Sequence, residues 1–350
     1  MSVLLGHKFY NPIVAFSQNE HAHATARLLS GWAEPLIFGG GAGVVLFFLV
    51  SGYIITHVLQ REHTLEFAIK RFFRIYPLFI VAVLIEYALD LRHGVPRDPW
   101  NLFMQLTLMG DFVGTPGVLD MVDWTLRIEV VFYMFMTVLS AAKVMRADGR
   151  ILAIIFLGAT VALGKYGPFP KIGSFSIGYL NIYGPFLFLG AMVYLAETKR
   201  ITYGVLFWFA VLVLSQHFTL VEWIQPHWIG AHFAILACLI FFAAWTARGF
   251  MGPSVLFAGV AELTFSVYVF HSWLYEVIVK RLERHDLMLL GRDADALVIL
   301  FAFCFLMTRL IEKPGIRVGE NLARMALRKR ISVGHGAIDL QETRALRKAS

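Results

Sequence analysis

Charge is scarce in this chain. Asp, Glu, Lys and Arg make up 16% of its 350 residues, where a soluble domain carries about a quarter. The length would fill two soluble domains, but that shortage excludes them, because too few charges remain to cover their surfaces. Cysteine is nearly absent as well. Cys238 and Cys304 both lie inside apolar runs, so they set up no disulfide pattern and read as small core residues. No Walker sequence, zinc-ligand cluster, nucleic-acid motif or internal repeat is found, and no Ser or Cys stands in a nucleophile-elbow setting. His21 and His23 read as ordinary loop histidines, so no metal site is expected. The first residues, MSVLLGHKF, lack the basic start and full apolar region of a cleavable signal peptide.

What the chain has in quantity is apolar sequence. Hydrophobic residues reach 58% and the mean hydropathy is +0.66. Apolar runs of bilayer length recur along it, which predicts an all-α, polytopic transmembrane helical bundle. The stretch Gly39–Pro77 organises the rest: one span empties into Arg61, Lys70, Arg71 and Arg74, and the chain returns to apolar sequence at Leu78. The expected spans are Ala42–Leu59, Ile75–Leu91, Trp124–Ala142, Ile151–Leu163 and Tyr179–Ala196. Tyr203–Ser215, Gly230–Ala247, Val255–Val277 and Ala296–Ile311 follow, nine complete spans in all. Residues 10–38 read as an extramembrane loop, and Leu102–Met109 as an apolar patch too short to cross.

The cations order these spans. Arg61 to Arg74, Lys143, Arg146, Arg150, Lys199, Arg200 and Arg248 mark one side as cytoplasmic. From Lys313 to Ser350 nine Lys or Arg face three Asp or Glu. That places a basic cytoplasmic tail at 315–350, beside anionic membrane lipids, after a membrane domain at 1–314. An odd number of complete spans starting outside points to a partial first span around Ser2–His7, whose beginning would lie ahead of this sequence.

Four fragments carry a resemblance. GVVLFFLVSGYIIT followed by KRFFRIYP, WTLRIEVVFY at 124–133, LTFSVYVFHSW at 263–273 and RLIEKP at 309–314 together resemble the acyltransferase 3 family of integral-membrane acyltransferases. Its relatives O-acetylate O-antigens and exopolysaccharides. The resemblance covers about residues 1–314 and implies a ten-helix membrane enzyme. Such an enzyme moves an acyl group, commonly acetyl, from cytoplasmic acyl-CoA to a hydroxyl of an extracytoplasmic sugar or lipid-linked glycan. Acyl-CoA is then a donor substrate, and no permanently bound cofactor is implied. The family's first span pairs an Arg with a His; the His falls on His7 and the Arg ahead of Met1. Without a nucleophile elbow or zinc cluster, direct transfer from a bound thioester is the natural route.

The residues support chemistry in their own right. A sugar hydroxyl is a poor nucleophile, and an imidazole such as His7 within hydrogen-bond reach can remove its proton; alternatively His7 belongs to a frayed terminus. Arg71 and Arg74, one helical turn apart, with Lys70 beside them, suit the phosphates of CoA, or anchor the chain to lipid head groups. Glu129 lies within an apolar helix and needs a partner, from the neighbourhood of Arg127, an arginine of another helix, or a histidine that it would orient. Trp124 and Tyr133 line an acceptor path or simply pack. His271, mid-span, is a core histidine or lines the substrate tunnel, and Pro314 should end the last helix with Glu312 bracing Arg71 or Arg74. Charged groups inside spans also suit a transporter, and a non-catalytic scaffold is the third reading.

Overall fold

Fourteen α-helices form the regular structure in a computed structural model, which describes residues 2–96, 98–115, 117–171, 177–226, 232–250, 252 and 254–328. They are α1 Ser2–Lys8, α2 Tyr10–Gln18, α3 Ala24–Ile37, α4 Gly41–Leu59, α5 Thr64–Arg92, α6 Pro99–Leu106 and α7 Asp123–Ala141. The second half holds α8 Gly149–Lys165, α9 Tyr179–Glu197, α10 Tyr203–Ile224, α11 Phe233–Ala247, α12 Val255–Phe270, α13 Trp273–His285 and α14 Arg292–Met307. Among the described residues there is no strand. Among the described residues seven helical segments are long and apolar enough to cross a bilayer, so the chain is an integral membrane protein. Two of the nine expected spans fall short of that length: α8 has 17 residues and α12 has 16. At 1.5 Å per residue, α8 covers roughly 25 Å of a hydrocarbon core of about 30 Å.

The centre is α9. Every residue from Tyr179 to Ala196 is buried, as a helix apolar on all sides requires. It lies against α4 through reciprocal glycines. A methyl group on Gly52 would sit 1.9 Å from the Leu187 carbonyl oxygen, and one on Gly190 would sit 2.0 Å from that of Leu49. The two backbones touch directly, the close approach that small residues permit inside a bilayer.

Several sequence expectations change. Residues 10–38 form helices α2 and α3, and α3 runs into α4 through an elbow at Gly39 and Gly40, both with positive φ (51° and 72°). Lys70, Arg71 and Arg74 lie in the early turns of α5, which starts at Thr64, and are therefore in a helix rather than a loop. His63 caps α5 by accepting the Leu65 N–H at 3.2 Å, and Glu66 in the first turn favours the dipole. Pro77 consequently falls in the helix interior. The patch expected at Leu102–Met109 is the helix α6, capped by the Asp98 carboxylate on the Asn101 N–H.

Two corrections bear on the site. The expected span Val255–Val277 breaks at His271–Ser272 into α12 and α13. Pro314 does not end the last helix, which continues to Arg328. A wide π-helical turn at Thr308–Glu312 precedes the proline and relieves its clash with the preceding turn. The tail expected from 315 thus begins as helix, while 329–350 lie outside the described residues.

Candidate active site

His7 is placed by a glycine. A methyl group on Gly6 would lie 2.1 Å from the Ile37 carbonyl oxygen and 2.4 Å from the Gly40 nitrogen. Only a bare backbone lets α1 settle against the α3–α4 elbow. The Ser2 hydroxyl donates to the Leu36 carbonyl at 2.6 Å, and Lys8 pairs with Glu276 at 2.7 Å. His7 is exposed on a surface cleft of about 300 Å³, shared with Lys8, Tyr10 and Asn11. It also lines a cavity of about 280 Å³ with Asp120, Trp124, Tyr179, Tyr183 and Gln225.

A second cavity, of about 310 Å³, holds Arg71 and Arg74 together with Ser51, Glu129, Tyr133 and His271. The two cavities share Val3, Val44 and Tyr268 as lining. At that junction the His7 and His271 rings stand with centroids 5.1 Å apart. The arginine cavity and the cavity lined by His7 and Trp124 are therefore neighbours, with Val3, Val44 and Tyr268 between them.

The two arginines differ in what they hold. Arg74 pairs with Glu312 at 2.8 Å, so Glu312 braces Arg74. Arg71 makes no ion pair among the described residues; its guanidinium lies 5.3 Å from the Phe67 ring and 5.8 Å from the Tyr133 ring. Its Nε is buried without a hydrogen-bond partner. Lys70 is turned elsewhere, held by Glu62 at 2.7 Å and Glu66 at 2.6 Å, and it does not line the cavity.

Glu129 makes no direct ion pair among the described residues, but it shares its cavity with Arg71, Arg74 and His271, and the charges of the two arginines act on it. Its carboxylate accepts from the Tyr133 hydroxyl and, at 3.4 Å, from Ser51. Arg127, two residues earlier, points to the other face of α7. There it donates to Asp111, to Asp123 at 2.7 Å, to the Leu108 carbonyl at 2.6 Å and to the Tyr179 hydroxyl at 3.2 Å. The two expected acceptor-path aromatics separate as well. Trp124 lies in the His7 cavity against Tyr179 and Tyr183, and Tyr133 in the arginine cavity.

One participant was invisible in the sequence. Leu119, Asp120 and Met121 all adopt positive φ (55°, 54° and 63°), a left-handed run that costs each non-glycine residue about 1–2 kcal/mol. Two contacts hold it: the Leu119 N–H donates to the Glu86 carboxylate at 2.9 Å, and the Asp120 carboxylate accepts from the Ser272 hydroxyl. Three residues that rarely adopt this geometry give no local signal for it. Among the described residues no three His, Cys, Asp or Glu side chains gather as a metal site would need.

The comparisons with known proteins bear on the family. The model of an acyltransferase domain family matches residues 1–311. The chain belongs to this acyltransferase family. The enzyme is similar to a protein of Rhizobium leguminosarum bv. viciae named nodulation protein 10, with 24% identity over 71% of this chain and 75% of that protein. It is 36% identical, over 17% of its length and 20% of the relative's, to an O-acetyl transferase of Shigella phage Sf6. It is 29% identical, over 38% of its length and 24% of the relative's, to a Bacillus subtilis protein provisionally named a peptidoglycan O-acetyltransferase. No solved structure matches the chain.

Proposed function

We propose that this acyltransferase moves an acetyl group from acetyl-CoA, bound at the arginine end, to a hydroxyl of a sugar or lipid-linked glycan that enters from the His7 end. The reading rests on one observation: a cavity holding Arg71, whose guanidinium makes no ion pair among the described residues, abuts a second cavity lined by an imidazole, with Val3, Val44 and Tyr268 as their shared wall. The similarity to proteins named O-acetyltransferases supports acetyl and oxygen as the group and the acceptor atom.

Each end suits its partner. A buried Nε without a partner is an open donor for an anion, and a guanidinium binds phosphate oxygens with paired, charge-assisted hydrogen bonds. Arg71 takes the first phosphate contact, with Arg74 beside it on Glu312. Lys70, already held by two carboxylates, takes no part. The thioester arm extends past Ser51, Glu129 and Tyr133 toward the junction, where His7 accepts the hydroxyl proton as oxygen attacks the acyl carbon. Holding both substrates in line supplies much of the rate. Trp124 gives the sugar a flat apolar face.

On this reading the arginine end and the basic tail face the cytoplasmic side of a bacterial inner membrane, and the clustering of cations at that end supports it. The test is transfer of label from [1-14C]acetyl-CoA into the glycan fraction of membranes from source cells that lack the chromosomal copy and carry the protein on a plasmid. Incorporation that depends on the plasmid is expected. Transport of a solute with no incorporation would end this reading.

A further inference from the structure

The reaction just described leaves a proton in the wrong place. On that reading His7 takes the proton on the acceptor side of the junction, whereas the sulfur departs on the other side, toward the arginine cavity that His271 lines. We propose that His271 carries the proton across, as the relay between His7 and the leaving thiolate; this rests on the acyl-transfer reading above.

Four observations carry it. His271 is completely buried, yet it lines the arginine cavity and touches the His7 ring. Its Nδ1 lies 2.7 Å from the Tyr268 carbonyl oxygen. A carbonyl only accepts, so Nδ1 bears the hydrogen and Nε2 keeps its lone pair. That Nε2 is buried with no hydrogen-bond partner. A core histidine kept for packing would satisfy both nitrogens, and a buried polar atom left open calls for a ligand or a proton.

The helix break gives the ring this position. His271 follows the last turn of α12, and Ser272 precedes α13 with its hydroxyl bonded to Asp120 instead of capping that helix. The left-handed run at 119–121 therefore holds the break, and Asp120 is a positioning residue for His271. Strain kept by specific contacts next to a reaction path is the pattern of a functional constraint.

The step balances without any added reagent. The acceptor O–H bond breaks as the new O–C bond forms, and the proton goes to His7. The C–S bond breaks and leaves its electron pair on sulfur. The imidazolium of His7 passes its proton to Nε2 of His271, directly or through one water, and Nε2 delivers it to the thiolate. The products are ester and free thiol, and both imidazoles end neutral.

The test uses the same [1-14C]acetyl-CoA assay on the full-length protein. His271→Gln should lower turnover by about 100-fold or more while [1-14C]acetyl-CoA binding stays within about threefold of wild type, since Arg71 and Arg74, which take the phosphates, are unchanged. His271→Ala should regain about tenfold in added imidazole, which fits the space vacated and restores the base. Turnover near wild type in His271→Gln would overturn the relay, as would a loss in His271→Ala that imidazole leaves unchanged. Both results presuppose incorporation by the wild-type protein; its absence would sink the acyl-transfer reading itself, and the relay with it.

Discussion

The imidazoles of His7 and His271 face each other at 5.1 Å with their planes tilted by 51°, although they come from opposite ends of the sequence. Neither helix could make this contact alone. α1 is pinned on one side by Gly6 against the elbow and on the other by Lys8 on Glu276 and Phe9 edge-on to Tyr275. Both of those partners sit on α13, directly after the break at His271–Ser272. The contact is thus a product of tertiary packing, and the substitutions below probe its two sides and its surroundings.

His7→Gln keeps a polar side chain but removes the base. Acetyl transfer to glycan should fall by about 100-fold or more, with the protein still present in the membrane fraction. Full transfer by the variant would take His7 out of the mechanism.

Gly6→Ala should do comparable harm without touching any functional group. The added methyl meets the Ile37 carbonyl oxygen and the Gly40 nitrogen, both backbone atoms that cannot step aside. α1 must lift, carrying His7 from the junction, so transfer is lost and thermal stability in detergent falls. Gly31→Ala is the control. A methyl there meets nothing within 4 Å, and in a helix it should be neutral or stabilising by about 0.5 kcal/mol. Equal behaviour of the two variants would show that α1 is not wedged.

The two neighbouring cations of α5 should separate cleanly. Arg71→Ala removes the open guanidinium, and its KM for acetyl-CoA should rise about tenfold or more, the scale of a charge-assisted contact. Lys70→Ala, which only releases Glu62 and Glu66 at the edge of the helix, should leave KM within about twofold. A larger effect at Lys70 than at Arg71 would relocate the donor site.

The sequence made the helical membrane class plain, because composition and run length decide it. It also marked Arg71, Arg74, Glu129, Trp124 and His271, since charge and aromatics stand out against an apolar background. Three things were hidden. The run 255–277 is apolar throughout, and the break at His271–Ser272 comes from a bond to a distant carboxylate, Asp120. Helix α5 reaches back to Thr64 because a local cap at His63 extends it through a charged stretch. Glu129 does not meet Arg127 because residues two apart on a helix face away from each other, which gave Arg127 to Asp111 and Asp123 and left Glu129 facing the cavity of Arg71 and Arg74.

That last arrangement yields the strongest stability prediction. Arg127 is 1% exposed, and every side of its guanidinium is engaged: Leu108 and Asp111 in the loop after α6, Asp123 at the start of α7, and Tyr179 on α9. It thereby clamps the segment leading to Asp120 onto the central helix. Arg127→Met keeps the length and removes the charge, leaving two buried carboxylates that no longer share a cation. Breaking a buried pair from one side costs about 3–5 kcal/mol, so the midpoint of thermal unfolding in detergent should drop sharply. Replacing the partners as well, with Asp111→Leu and Asp123→Leu added to Arg127→Met, should recover much of the loss, because an apolar cluster needs no pairing. Transfer activity should not return with it, since the loop would then lack the hydrogen bonds that hold its shape. An unchanged midpoint in Arg127→Met would mean that the carboxylates are neutralised some other way and that the clamp carries no weight.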